Sequence, residues 1–275
     1  MIRLVFFALV VFLGGCAEPE QVSADGTDGW PSGHSGDPSQ SFLATIEAST
    51  HFKAINGLSF EIVQTQANEP MAILAAIDLE HFTPALLTNP TKGRSVQQIM
   101  AQTDVGIVIG SGFVTDAQSL SPVGLLREGN QDLNPLEPYG YTRILGFNDR
   151  GFGVLHRKNY EPEAFTSAIQ AGPGIIEQGK LDISERDLQR PKYYRSFVAL
   201  CSDRVRVGVT TMPTHLRTLG QELTHFFLDN NLACAEVINL AGDRQAVLAI
   251  REEHGFVYHG DIFAPKATLL SFSPH

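Results

Sequence analysis

Short strand-like segments separated by glycine, proline or polar turns recur through most of this sequence, and they restrict the fold more than any other feature. LSFEIVQTQ (58–66) alternates apolar and polar residues, whereas MAILAAIDL (71–79) is a continuous apolar run. The first pattern is typical of a half-buried strand and the second of a central strand. Residues 142–157 and 195–211 each divide into two strands around a tight turn, which predicts two β-hairpins.

A few segments show helical periodicity instead. RSVQQIMAQ (94–102) puts its apolar residues on one face, and Ser95, its second residue, can cap a helix. Residues 214–232 also carry apolar side chains at helical spacing and end in two asparagines. Many strands with a few helices predict an α+β fold with a large mixed, mostly antiparallel sheet.

The N-terminus has the order of parts of a lipoprotein signal peptide. One positive charge precedes a short apolar run, and small residues and Cys16 follow. The sequence before the cysteine resembles a bacterial lipobox, which predicts a signal peptide over residues 1–15 and a lipid on Cys16. An ordinary secretory signal that happens to contain this cysteine is the alternative. The apolar run is shorter than the roughly 20 residues that a membrane-spanning helix needs.

Residues 16–41 are rich in Ser, Gly, Pro and Asp, so they cannot bury enough apolar surface to offset the entropy of ordering. We therefore predict a lipidated disordered tether there and a single folded domain over residues 42–275. A lipid on Cys16 would hold this domain on the periplasmic side of the bacterial envelope without a spanning helix. Ala17, rather than aspartate, after the cysteine resembles an outer-membrane address.

Charge and cysteine content limit the possible partners. The formal net charge is −10 and no run of Lys or Arg occurs, so nucleic-acid binding is not expected. After Cys16 only Cys201 and Cys234 remain, and they could pair in an oxidising periplasm or stay as two buried thiols. No CxxC or HExxH pattern occurs, so a zinc site has no support.

A glycine-proline-glycine corner interrupts the apolar segment AIQAGPGIIEQG (168–179). Gly172 and Gly174 permit backbone angles and close approaches that other residues avoid, and Pro173 fixes the bend. Such a corner can bring the backbone against a ligand. A bulge or a cis-proline turn without a ligand is the alternative interpretation.

Four stretches in order resemble the motifs of the phosphodiester glycosidase family: VGIVIGSGFVTDAQSLSPVGLLREG, AIQAGPGIIEQGK, YYRSFVAL and AEVINLAGDRQA. The resemblance covers about residues 45–272. It implies the family's fold and a hydrolase that cleaves a sugar from a sugar-1-phosphodiester. Given the predicted location, envelope glycans or their fragments would be the partners. No cofactor is evident, although the resemblance allows a divalent cation.

The resemblance also implies site residues. Arg195 would bind the phosphate through two parallel hydrogen bonds, although a surface ion pair with Glu177 or Asp187 is the alternative. Asp243 would be the catalytic carboxylate. Six further residues would surround the sugar: Ser111, Gly112, Phe113, Gly172, Pro173 and Gly242.

Two positions depart from the motifs. The motif asparagine falls at Gly110 and the motif aspartate at Ala241, whereas Asp243 lies two residues beyond the expected carboxylate. Losing both groups is what a catalytically degenerate member of this fold would show. Such a protein would be a glycan- or phosphate-binding envelope lipoprotein, and this is the alternative function.

Overall fold

The computed structural model describes residues 42, 44, 55–88, 94–116, 119–149, 151–252 and 255–275. The predicted signal peptide, the lipidation site Cys16 and the tether over 16–41 lie outside the described residues.

The described part of the chain is mainly strands. The first ten strands are β1 (Leu58–Gln64), β2 (Pro70–Ile77), β3 (Phe82–Thr88), β4 (Ile107–Ser111), β5 (Phe113–Val114), β6 (Pro122–Val123), β7 (Leu126–Glu128), β8 (Gln131–Asn134), β9 (Arg143–Asn148) and β10 (Gly151–His156). The remaining strands are β11 (Ser167–Ala171), β12 (Gly174–Glu177), β13 (Lys180–Leu181), β14 (Arg195–Cys201), β15 (Val205–Thr210), β16 (Cys234–Gly242), β17 (Val247–Glu252), β18 (Gly255–Gly260) and β19 (Thr268–Pro274).

These strands form three sheets and one short pair. A seven-stranded sheet has the order β1-β2-β15-β14-β16-β12-β13, and two five-stranded sheets have the orders β10-β9-β11-β7-β8 and β18-β17-β4-β19-β3. Strands β5 and β6 pair separately. All pairings between these strands are antiparallel. The predicted α+β fold with mostly antiparallel pairing is confirmed, and its strands are divided among separate sheets.

Local patterns explain the strands that the sequence predicts. The predicted central strand, β2, is buried at every position after Pro70 because it lies between β1 and β15. The predicted hairpins are β9 with β10, and β14 with β15. Each turn is polar, whereas the strands on both sides carry apolar residues that face a core.

Helix α1 (Val96–Gln102) begins with a reciprocal cap. The Ser95 hydroxyl accepts from the Gln98 N–H at 3.2 Å, and the Gln98 side chain accepts from the Ser95 N–H at 2.9 Å. This capping box satisfies two N–H groups that the first turn leaves without helical partners. The predicted apolar face is buried, with Ile99 2% and Met100 1% exposed.

The second helix, α2 (Leu216–Asp229), packs its apolar stripe against the seven-stranded sheet. Leu219, Leu223 and Phe227 are buried with apolar side chains of β12, β14 and β16. Among the described residues, no helix has the length and apolar character required to cross a membrane.

A disulfide joins Cys201 at the end of β14 to Cys234 at the start of β16. The two cysteines are direct partners in the register of these strands. The structure therefore contradicts the alternative of two free buried thiols.

The glycine-proline corner is the point at which the chain changes sheets. Strand β11 belongs to one five-stranded sheet, and β12, two residues later, belongs to the seven-stranded sheet. The Gly172–Pro173 peptide is cis, and Gly172 has a φ of 126°, which favours glycine. The Gly172 N–H donates to the Asn239 carbonyl at 2.9 Å, and the Asn239 N–H donates to the Pro173 carbonyl at 3.2 Å. The corner is thus anchored to β16.

Candidate functional site

The last residues of β16 bring the predicted site residues together. Arg195 is the register partner of Gly242, and a Cβ atom at Gly242 would lie 3.1 Å from the Arg195 Nη1 atom. The next residue of β14, Ser196, donates from its hydroxyl to the Gly110 carbonyl at 2.7 Å. The start of β14, with Arg195, and the glycine motif that begins at Gly110 therefore meet at the C-terminal end of β16.

The glycine motif after β4 contacts the same strand. The Gly112 N–H donates to the Leu240 carbonyl at 3.0 Å. The ring of Phe113 stacks on Tyr141 with their centroids 4.3 Å apart. Gly172 lies beside Thr142, the residue after Tyr141, because a Cβ at Gly172 would be 3.1 Å from the Thr142 backbone nitrogen. The predicted sugar-side residues are thus arranged around residues 239–242 of β16.

Arg195 is a half-buried cation without an ion pair to any described residue. Its guanidinium lies 5.0 Å from the centre of the Tyr193 ring, and its Nε is buried without a hydrogen-bond partner. Burial lowers the pKa of Arg195, and the negative charges of Asp187 and Asp243 oppose that shift. Arginine remains charged at neutral pH despite such shifts.

The predicted alternative for Arg195, a surface ion pair, is not formed. Glu177 pairs instead with Arg143 at 3.2 Å. Asp187 accepts a hydrogen bond from the Arg217 backbone N–H at 2.9 Å.

Asp243 lies on a 3₁₀ turn, Asp243–Gln245, directly after β16. Its side chain is exposed, and its φ of 53° is in the left-handed region that non-glycine residues adopt at a cost. The Asp243 N–H donates to the Tyr194 carbonyl, and the Ala246 N–H donates to the Asp243 carbonyl, both at 2.9 Å. Backbone hydrogen bonds therefore hold this carboxylate next to the strand that begins with Arg195.

The turn accounts for one departure from the motifs, and the burial of β16 accounts for the other. A Cβ at Gly110 would overlap the backbone carbonyl of Gln245, so the turn occupies the space that a side chain at 110 would need. Ala241 is 0% exposed and pairs with Ser196, so a carboxylate at 241 would be buried in this arrangement. The exposed carboxylate at this end of β16 belongs to Asp243.

Three polar atoms near these residues are buried without a hydrogen-bond partner. They are the hydroxyls of Ser111 and Thr268, which are register partners, and the side-chain oxygen of Asn239. A Cβ at Gly112 would lie 3.7 Å from the Thr268 hydroxyl. Buried polar groups in proteins are nearly always hydrogen-bonded, so these three atoms still have the capacity to bond to a water or a ligand.

Lys266 is a residue near this turn that sequence reasoning missed. It is 1% exposed, and its Nζ donates to the Arg244 carbonyl. Burial lowers the pKa of Lys266 to about 8, against the opposing charges of Asp261 and Asp243. In the sequence, Ala264-Pro265-Lys266 has the composition of a solvated loop, so no local signal indicates a buried cation.

No group of three or more His, Cys, Asp or Glu side chains among the described residues could hold a metal ion. The divalent cation that the resemblance allows stays a prediction.

In the described part of the chain, the three antiparallel sheets and the packed helices α1 and α2 define an α+β fold that resembles a phosphodiester glycosidase domain. One similar solved structure is the catalytic domain of zebrafish N-acetylglucosamine-1-phosphodiester alpha-N-acetylglucosaminidase, auto-inhibited by its pro-peptide. The TM-score is 0.57 at 12% identity, over 82% of this chain and 87% of that one.

A second similar structure is a hypothetical protein from Synechocystis, with a TM-score of 0.53 at 12% identity, over 78% of this chain and 61% of that one. No protein-family model and no curated protein matches the sequence. Both similarities show a shared fold.

Proposed function

We propose that this chain is a lipid-anchored envelope hydrolase that cleaves a sugar from a sugar-1-phosphodiester. The observation that carries the proposal is the Arg195 guanidinium, which has no ion pair among the described residues and lies beside Gly242 and Asp243. A partly buried cation without a counter-ion is unfavourable unless a ligand supplies the negative charge. The similarity to a phosphodiester glycosidase fold supports a phosphodiester as that ligand.

Each side chain then has a chemical role. Arg195 binds two phosphate oxygens through parallel charge-assisted hydrogen bonds and orients the scissile bond. Asp243 acts as the carboxylate that moves a proton or stabilises the oxocarbenium-like sugar in the transition state. The sugar lies against Ser111, Gly112 and Phe113 on one side and against the Gly172–Pro173 corner on the other.

Location decides which substrates this hydrolase meets. A lipid on Cys16 would hold the domain on the periplasmic side of the envelope, at the outer membrane, through the tether over 16–41. Glycopolymers of the envelope and their fragments carry sugars linked through phosphodiesters. They are therefore the substrate class that we propose.

A second candidate function is a glycan- or phosphate-binding lipoprotein with the same site and no turnover. The observation that favours it is the absence of a polar side chain at both Gly110 and Ala241, the positions of the motif asparagine and aspartate. Asp243 is then the one motif-related carboxylate left at the end of β16. Turnover by the purified protein distinguishes the two candidates.

Substituting Asp243→Asn is expected to lower kcat for a sugar-1-phosphodiester by about 10²-fold, because it removes a group that exchanges protons in the transition state. KM should change little, since the amide keeps the size of the side chain and Arg195 still binds the phosphate. The measurement is steady-state kinetics on a panel of sugar-1-phosphodiesters.

Asp229→Asn at the exposed end of α2 is the matched control and should behave as the wild type. An Asp243→Asn variant with unchanged kcat would remove Asp243 from the mechanism. If the wild-type protein binds these compounds without hydrolysing them, the result contradicts the hydrolase and supports the binding lipoprotein.

A further inference from the structure

The ring of Tyr193 lies against the guanidinium of Arg195. The distance from the Arg195 Cζ atom to the centre of the ring is 5.0 Å. Within about 6 Å, the electron-rich face of an aromatic ring attracts a cation. The guanidinium forms no ion pair with the described residues, and its Nε atom is buried without a hydrogen-bond partner. The contact with Tyr193 is therefore an interaction that can fix where this cation lies.

The backbone places Tyr193 beside Arg195. The Tyr193 N–H donates to the Thr214 carbonyl at 3.3 Å, and the Thr214 N–H donates to the Tyr193 carbonyl at 2.9 Å. Alternate residues of an extended chain face the same side, so a ring at 193 lies beside a side chain at 195. The ring of Tyr194, between them, lies near His259 instead, with the ring centroids 6.3 Å apart. The half-buried Tyr193 ring is thus attached to a hydrogen-bonded part of the chain.

The orientation of the guanidinium decides whether it can bind a phosphate group through two parallel hydrogen bonds. Because the Arg195 Nε atom is buried, an anion has to bind the terminal atoms Nη1 and Nη2. The Nη1 atom lies 3.1 Å from the position that a Cβ of Gly242 would occupy. Two parallel hydrogen bonds require one orientation of the guanidinium plane, whereas a long side chain without a partner samples many rotamers. A contact that restricts these rotamers therefore favours phosphate binding.

We propose that Tyr193 is a positioning residue, which holds the Arg195 guanidinium in the orientation that binds the phosphate group. This inference rests on the phosphate-binding part of the proposed function. The face of the aromatic ring supplies the attraction, so the Tyr193 hydroxyl is not required for this role. Stacking on the ring removes rotamer freedom from Arg195 before the ligand arrives, which lowers the entropy that binding costs.

The first test measures the Kd of the purified protein for inorganic phosphate by titration calorimetry at about pH 7. Tyr193→Leu keeps an apolar side chain but removes the ring, and we expect about a fivefold higher Kd. Tyr193→Phe keeps the ring and should bind phosphate as the wild type. Tyr139→Leu, at a position that is 78% exposed, is the matched control and should also bind as the wild type. Thermal unfolding of the variants checks that they are folded.

A second measurement needs no ligand and reports on Arg195 itself. NMR of isotope-labelled arginine side chains follows the Arg195 Nε–H group, which is assigned by its absence from the spectrum of Arg195→Lys. The aromatic ring should shift this proton upfield and keep the order parameter of the group high. Tyr193→Leu should remove both effects, whereas Tyr193→Phe should retain them. A tyrosine with a merely structural role would leave the Arg195 signal unchanged.

The outcomes separate this inference from the hydrolase. Phosphate binding that depends on the Tyr193 ring, in a protein without turnover, would contradict the hydrolase and support the positioning role. Turnover with a Tyr193→Leu variant that binds phosphate as the wild type, or an Arg195 signal unchanged in this variant, would overturn the positioning role alone. A Tyr193→Phe variant that binds as weakly as Tyr193→Leu, or a wild-type protein that binds no phosphate, would overturn it as well.

Discussion

Substituting Arg195→Ala is expected to lower kcat/KM for sugar-1-phosphodiester hydrolysis by about 10²–10⁴-fold. The guanidinium would donate two hydrogen bonds to a charged phosphate, and each such bond contributes about 1.5–3 kcal/mol. Together they contribute about 3–6 kcal/mol, and about 1.4 kcal/mol corresponds to tenfold in rate. Initial rates at several substrate concentrations measure the change.

Stability provides the internal control for this substitution. Arg195 forms no ion pair with the described residues, so its removal should leave the free energy of unfolding within about 1 kcal/mol of the wild type. Arg195→Lys should recover part of the activity, since it keeps the charge but loses the planar pair of donors. Arg186→Ala, at an exposed position nearby in the chain, should remain fully active. Full activity in Arg195→Ala would mean that the phosphate binds elsewhere.

Substituting Gly110→Ala is expected to lower the free energy of unfolding by about 3 kcal/mol or more. The added Cβ would overlap the backbone carbonyl of Gln245, and a backbone atom on a hydrogen-bonded turn cannot move aside as a flexible side chain can. Because the same turn carries Asp243, we also expect hydrolysis to be lost. Denaturant unfolding followed by circular dichroism measures the stability.

Gly255→Ala is the control, because a Cβ there meets no atom within 4 Å. Its free energy of unfolding should stay within about 0.5 kcal/mol of the wild type. Gly110→Asn tests the motif directly. If the turn fills this space as described, the asparagine destabilises the protein and does not increase activity. A stable and more active Gly110→Asn variant would contradict the position of the turn.

The sequence predicted the features that depend on local pattern. Alternation and apolar runs identified β1 and β2, and Ser95 with its apolar face identified α1. These predictions succeeded because the residue pattern that predicts each strand or helix lies within that strand or helix. The meeting of Arg195 with Gly242 followed from family motifs, and the structure pairs these two residues across β14 and β16.

Features that depend on distant contacts could not be predicted in the same way. The division of strands into separate sheets follows from pairings such as β12 with β16, which are far apart in sequence. Lys266 is buried because it contacts Arg244, 22 residues earlier, and a lysine after a proline carries no sign of this. Gly172 and Pro173 indicate a corner in the chain, but no local pattern indicates that the chain changes sheets there.

The bond between Cys201 and Cys234 has a consequence for the opposite end of its two strands. Arg195 and Gly242 lie at the other end of the same β14–β16 pair, and six residues of strand span about 20 Å. A slip of one residue between these strands would turn every side chain to the wrong face. The Cys201–Cys234 disulfide thus restrains the register of these two strands from the end opposite Arg195. We therefore expect reduction of this disulfide to loosen the alignment of Arg195 with Gly242.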